Sequence, residues 1–186
     1  IRYELRGTVA SSHVCDDIGF QRVVPALSLS FYECVENAKD YAWGGAKYNL
    51  GNGIDAIGVA DLINSLIAVK KLVVDEKKVT MQRLLDALDA NFVGYEDVKK
   101  MCDEAPKYGN DDDEVNELTG DMFCFIADYI ESFHIKFGKM TPGILPVSGN
   151  TPFGLEVGAL PSGRLAWKPL ADGVSPNQGT GRLLPS

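Results

Sequence analysis

Apolar positions recur at three- and four-residue spacing through the middle of this chain and lose that rhythm after Gly138. Ser30 followed by Glu33 has the spacing of a capping box and predicts a helix over about Phe31–Tyr41, closed by Trp43-Gly44-Gly45. Tyr48–Gly53 (YNLGNG) then reads as a tight loop. From Ile54 to Val74 the chain is apolar nearly all round, interrupted by Asp61, Asn64 and Ser65. A helix without a polar face belongs inside a large structure. A chain of this size would struggle to surround it, so much of its cover is expected to come from elsewhere. Thr80 is placed to cap a helix whose stripe is Met81, Leu84, Leu85 and Leu88, and Tyr95–Glu104 reads as another, stopped by Pro106. Asp111 with Glu114 offers a second capping box. The stripe from Val115 through Phe133 then predicts a long amphipathic helix ending near Gly138, weakened at Gly120.

The stretch Gly138–Gln178 is different. It gathers most of the prolines and many of the glycines between short apolar runs, Ile144–Val147 and Leu155–Leu160. That is too apolar for a flexible linker and suits a long ordered excursion threading a larger body. Ile144–Val147 is read as a strand.

Composition narrows the class. A length of 186 residues and a formal charge of −8 suit a globular protein and argue against a nucleic-acid partner, which needs clustered Lys and Arg. No apolar run reaches the ~20 residues that span a bilayer. The chain begins at Ile1 without a signal-peptide pattern, so the natural N-terminus is expected to lie outside it, and the expected location is cytoplasmic. Cys15, Cys34, Cys102 and Cys124 form no CxxC pair and there are only two histidines, His13 and His134. Free buried thiols are expected, and no metal site.

Three motifs invite chemistry and are set aside. Asn110–Glu114 would place Val115 where a calcium loop needs glycine. YNLGNGIDAIG lacks the spacing of a phosphate cradle. Cys34 and Glu36 are two apart and do not share a helix face, so Cys34 reads as a buried structural thiol. The histidines have no carboxylate or serine neighbours arranged for catalysis.

Five collinear motifs carry a resemblance: GGAKYN (44–49), IGVADLINSLIAVKKLV (57–73), APKYGNDDD (105–113), VSGNTPFG (147–154), and VGALPSGR with PLADGVSPNQGT (157–180). Together they resemble the glycyl radical enzymes related to pyruvate formate-lyase, in the branch of diol dehydratases, choline lyase and arylacetate decarboxylases. The likeness spans about residues 25–180, as a partial barrel domain preceded by a poorly defined lead (1–24) and followed by a divergent tail (181–186). It implies an α/β fold: part of a ten-stranded barrel, mostly helical in this segment, with a few strands and long ordered loops. It further implies an anaerobic enzyme, homo-oligomeric in its complete form: a formate acetyltransferase-like enzyme, lyase or dehydratase that cleaves C–C, C–O or C–N bonds of a small organic substrate. A glycyl radical would be installed by an activating enzyme that uses S-adenosylmethionine and an iron–sulfur cluster. The resemblance places one strand against substrate, so either Leu145 and Val147 or Ile144 and Pro146 line the pocket, with the first pair preferred. The family's RVxGYxA-like glycyl motif is not in this sequence, and Cys34-Val35-Glu36 sits in the wrong place for its catalytic Cys-x-Glu loop. No catalytic residue is therefore assigned here, and the chain is expected to act only with the remainder of the barrel. Two other readings stay open: the non-catalytic half of a split enzyme, or docking and repair partner of a homologue, and an independent enzyme using Cys34 and Glu36.

Overall fold

The computed structural model describes residues 2–19, 25–47, 50–135, 138–143 and 149–181. The chain divides into two compact units, 1–55 with 124–143, and 56–123 with 144–186.

The first unit is built from α1 (Arg2–Gly19), the short helices α2 (Pro25–Ser28) and α3 (Tyr32–Glu36), and a three-stranded sheet. Its strands are β1 (Leu50–Asp55), β2 (His134–Ile135) and β3 (Gly138–Gly143), in the order β1-β3-β2. β1 runs parallel to β3, with Ile54 opposite Pro142, and β2 is antiparallel to it. Pro142 has no N–H to give, and it lies beyond the short β2, whose pairing stops at Gly138 and Lys139. Met140 and Ile54 are buried, as are Val9 of α1 and Ile126 and Ile130 of the helix leading into the sheet. α1 docks through Arg2, whose guanidinium lies 5.6 Å from the centre of the Phe125 ring, and through Arg6, whose Nε donates to Tyr129 Oη at 3.1 Å.

Sequence and structure part company here in two places. The predicted helix 31–41 is only α3, followed by a 3-10 turn at Tyr41–Trp43. Ser30 does not cap: its Oγ donates to Leu27 O at 2.6 Å, and Phe31 stands at the helix start. Asp40 caps the 3-10 turn instead, accepting from Ala42 N at 2.9 Å and from Ser28 Oγ at 2.8 Å. The expected loop at Tyr48–Gly53 is strand β1 from Leu50 onward. Its glycines are held extended by a partner strand far away in sequence, an effect no local pattern carries.

The second unit contains α4 (Val59–Val69), α5 (Met81–Asp89), α6 (Glu96–Glu104), α8 (Asn150–Glu156) and the first part of α7 (Asp113–Glu131). The single helix expected over 54–74 starts later, after Gly58 in the left-handed conformation, and α4 passes into a π-helical stretch at Lys70–Asp75. No residue of α4 is exposed, in keeping with its lack of a polar face. Val59, Ile63 and Ile67 pack with Val115 of α7. A second core joins Leu72, Val79, Leu84, Ala87, Phe92, Val98 and Cys102. Thr80 caps α5 as expected, its Oγ1 accepting from Arg83 N at 3.2 Å. At α7 the cap is Asp112 rather than Asp111: its Oδ1 accepts from Val115 N at 3.1 Å. α7 stops at Glu131, before β2 begins.

Glu114, read from sequence as part of that cap, instead joins the π-helical stretch. Its Oε1 lies 2.5 Å from Lys70 Nζ and its Oε2 2.5 Å from Lys71 Nζ, while Lys70 also reaches Asp75 at 2.9 Å. Hydrogen bonds from Lys70 and then Lys71 hold its carboxyl down at about 2 against an ordinary 4.5. A carboxyl depressed on folding binds fewer protons in the native than in the unfolded state, so its stabilisation is present above about 4.5 and is lost as pH falls toward about 2. Glu114→Gln is therefore expected to flatten the acid limb of a stability–pH curve across that window while leaving the curve's slope near neutrality unchanged. Thermal unfolding of wild type and variant from pH 2 to 7 checks it.

Candidate functional site

Beyond α8 the second unit continues from Val157 to Gly181 without a helix or strand. A segment of that kind has backbone donors and acceptors with no ladder to join, and each buried one needs a partner. Side chains supply them. Asn91 Oδ1 accepts from Ala166 N at 2.8 Å, Tyr108 Oη donates to Val174 O at 2.9 Å, and Asn110 Nδ2 donates to Thr180 O at 3.0 Å. The central anchor lies on α4, at two of the three polar positions that interrupt its apolar sequence.

Asp61 and Asn64 sit one turn apart on the same face of α4 and are both buried. Asp61 Oδ2 accepts from Ala171 N at 2.6 Å, and Oδ1 accepts from Asn177 Nδ2 at 2.5 Å. Asn177 turns its other end to α4, where its Oδ1 accepts from Asn64 Nδ2 at 2.8 Å. Asn64 Oδ1 in turn accepts from Tyr108 N at 2.7 Å. In each of these contacts a donor meets an acceptor, which fixes the orientation of both amides. Burial pushes the Asp61 carboxyl above the usual carboxylate range, opposed by the bonds from Ala171 and Asn177 and by the positive charge of Arg164.

Arg164 gathers the segment onto itself. Its guanidinium donates to the carbonyls of Gly154 at 2.7 Å, Gly158 at 2.9 Å and Pro169 at 3.3 Å, and also to Lys168 O and Val157 O. Gly154 permits this, because a Cβ there would stand 2.3 Å from Lys168 O. Gly109, with φ +85°, lets Pro176 approach to where a side chain would be. A cleft of about 410 Å³ opens beside the network, lined by Asn64, Arg164, Lys168, Asn177 and Thr180 among others.

The hub holds no nucleophile paired with a base, and its polar atoms satisfy one another. Its chemistry is positioning. Among the described residues no group of three or more His, Cys, Asp or Glu could hold a metal ion. Cys34 is buried, and its thiol is pushed up first by burial and then by the charges of Asp40 and Glu33, which opposes thiolate chemistry; Glu36, two residues on, is exposed. Cys102 is buried too, its thiol pushed up to about 11 by burial. Cys15 and Cys124, expected to be buried, are exposed. His134 lies exposed in β2. The pocket-lining pair Leu145 and Val147, with Ile144 and Pro146, lies outside the described residues. Sequence reasoning noted Asp61 and Asn64 only as interruptions of an apolar helix and missed Asn177 altogether. Two buried polar residues one turn apart were the signal available.

Residues 9–154 match the model of the pyruvate formate lyase-like family. The chain belongs to that family. Over 157 residues it is 39% identical to trans-4-hydroxy-L-proline dehydratase of Clostridioides difficile, covering 83% of this chain and 20% of the dehydratase. Over 129 residues it is 45% identical to isethionate sulfite-lyase of Bilophila wadsworthia, covering 66% and 15%. Its structure superimposes on the glycerol-bound B12-independent glycerol dehydratase of Clostridium butyricum with a TM-score of 0.91 at 35% identity, over 97% of this chain and 23% of that one. The chain thus spans about a fifth of the length of these relatives. The expected fold class holds: a mostly helical segment of a glycyl radical enzyme, with a few strands and long ordered loops. No described helix is long and apolar enough to cross a membrane.

Removing Asn177 leaves Asp61 and Asn64 buried, each short of a partner. Asn177→Ala is expected to cost about 1–3 kcal/mol, measured by chemical denaturation, whereas Gln178→Ala, which leaves the hub intact, is expected to cost under about 0.5 kcal/mol.

Proposed function

We propose that the protein to which this chain belongs is an anaerobic glycyl radical dehydratase or lyase that cleaves a C–O, C–C or C–N bond of a small organic substrate. The observation that carries this is the match to glycerol dehydratase over nearly the whole chain, at a level of identity that the other dehydratase and lyase relatives share. In this reading the radical chemistry belongs to residues outside these 186, in the remainder of the barrel. The radical is installed by an activating enzyme with S-adenosylmethionine and an iron–sulfur cluster. This segment contributes wall. Leu145 and Val147 face the substrate, apolar side chains that exclude water and shape the cavity around a small polar molecule. The Gly/Pro-rich segment after them holds the wall in register through the Asp61–Asn177–Asn64 hub.

The test is anaerobic activation of the full-length protein, read by electron paramagnetic resonance and by turnover of glycerol and trans-4-hydroxy-L-proline. A glycyl radical signal that disappears with chain cleavage in air, together with turnover of a substrate of this class, is expected. Absence of any radical after activation contradicts the proposal. For the pocket assignment, Val147→Phe is expected to raise KM by about tenfold or more at unchanged radical content; unchanged KM contradicts it.

A further inference from the structure

One peptide group in the second unit has both its polar atoms taken by side chains from two different helices. The N–H of the Leu170–Ala171 peptide donates to Asp61 Oδ2 of α4 at 2.6 Å. The C=O of the same peptide accepts from Asn150 Nδ2, at the first residue of α8, at 3.2 Å. Leu170 N then donates back to Asn150 O at 3.0 Å, closing a reciprocal pair. Asn150 is itself buried. The result is a continuous chain, Asp61 carboxyl to peptide N–H, through the amide plane to the carbonyl, and on to the Asn150 amide. Hydrogen bonds in series polarise one another when they are shielded from water. An oxygen acceptor on the N–H makes the peptide carbonyl a better acceptor for Asn150. The Asp61 carboxyl is thus linked to the first residue of α8 through one peptide group.

We propose that Asp61 is a positioning residue, which fixes the start of α8 through the Leu170–Ala171 peptide group and Asn150. This rests on the pocket reading above, because α8 begins where the proposed substrate-lining stretch ends. On that reading, loosening Asn150 alters substrate fit and leaves the radical machinery intact.

The experiment is a double-mutant cycle in the full-length, radical-loaded protein, with Asp61→Ala, Asn150→Ala and the pair together. Each single change is expected to raise KM about tenfold, with kcat per radical changed less than about twofold. The double variant is expected to do no worse than the larger single, as for residues acting through one linkage. Asp61→Asn keeps one oxygen for Ala171 N–H but sets an NH2 group against Asn177 Nδ2, so it is expected to hold KM nearer the wild-type value than Asp61→Ala does while still lowering the unfolding midpoint. Leu84→Ala, in the separate core of α5 and α6, lowers the unfolding midpoint without raising KM. Effects of Asp61 and Asn150 that multiply independently, or a KM rise in Leu84→Ala equal to that in Asp61→Ala, overturn the proposal. Should Asp61→Ala fail to fold, the cycle is run with Asp61→Leu, which fills the site but gives Ala171 N–H no acceptor. Unfolding midpoints read the same coupling without substrate. Sub-additive midpoint shifts alongside a Val147→Phe variant of unchanged KM would support the linkage and contradict the pocket reading alone.

Discussion

A long stretch of backbone without helix or strand can be ordered inside a protein only if something answers its N–H and C=O groups. In this chain the answer comes from side chains on regular elements, above all Asp61 and Asn64 on α4. Residues 157–181 have their own rigidity from proline and from glycines that permit close approach, but those set local angles only. What fixes the segment against α4 is the interlock of Asp61, Asn177 and Asn64, with the Leu170–Ala171 peptide held on the same carboxyl. A buried carboxyl is costly unless its oxygens are occupied. Here both are, so the burial that would penalise the group makes its contacts selective for one register of the segment.

The same logic explains why α4 is apolar almost all round yet not wholly apolar. Its aliphatic residues join the core with Val115, where dispersion and area drive packing without direction. Direction comes from the two polar side chains. Arg164 plays the complementary part from the segment's side, collecting carbonyls that would otherwise lack donors.

Much of this was legible in the sequence, and the limits follow a physical pattern. Helices set by local periodicity and a single cap, such as α5 with Thr80 and α6 before Pro106, are found where the spacing puts them. The family was legible because five motifs lie in order, which no one of them would have established. β1 was not, because its glycine-rich residues are extended only by pairing with β3, far along the chain. The cap of α7 was misplaced by one residue within a run of acidic side chains, any of which could have served, and Glu114 was drawn away by two lysines. α8 was hidden inside a segment read as loop, although Pro152 sits in its first turn, where proline is tolerated. Asp61 and Asn64 were visible as anomalies, but their partner Asn177 lies over a hundred residues away.

Hydrogen–deuterium exchange of the wild-type protein, resolved by mass spectrometry across residues 157–181, tests the central claim most directly. If side-chain anchors from α4 and its neighbours order this segment, the amides of Ala166 and Ala171 exchange as slowly as those in the middle of α4. Exchange of those amides at the rate of an unstructured loop would contradict the account.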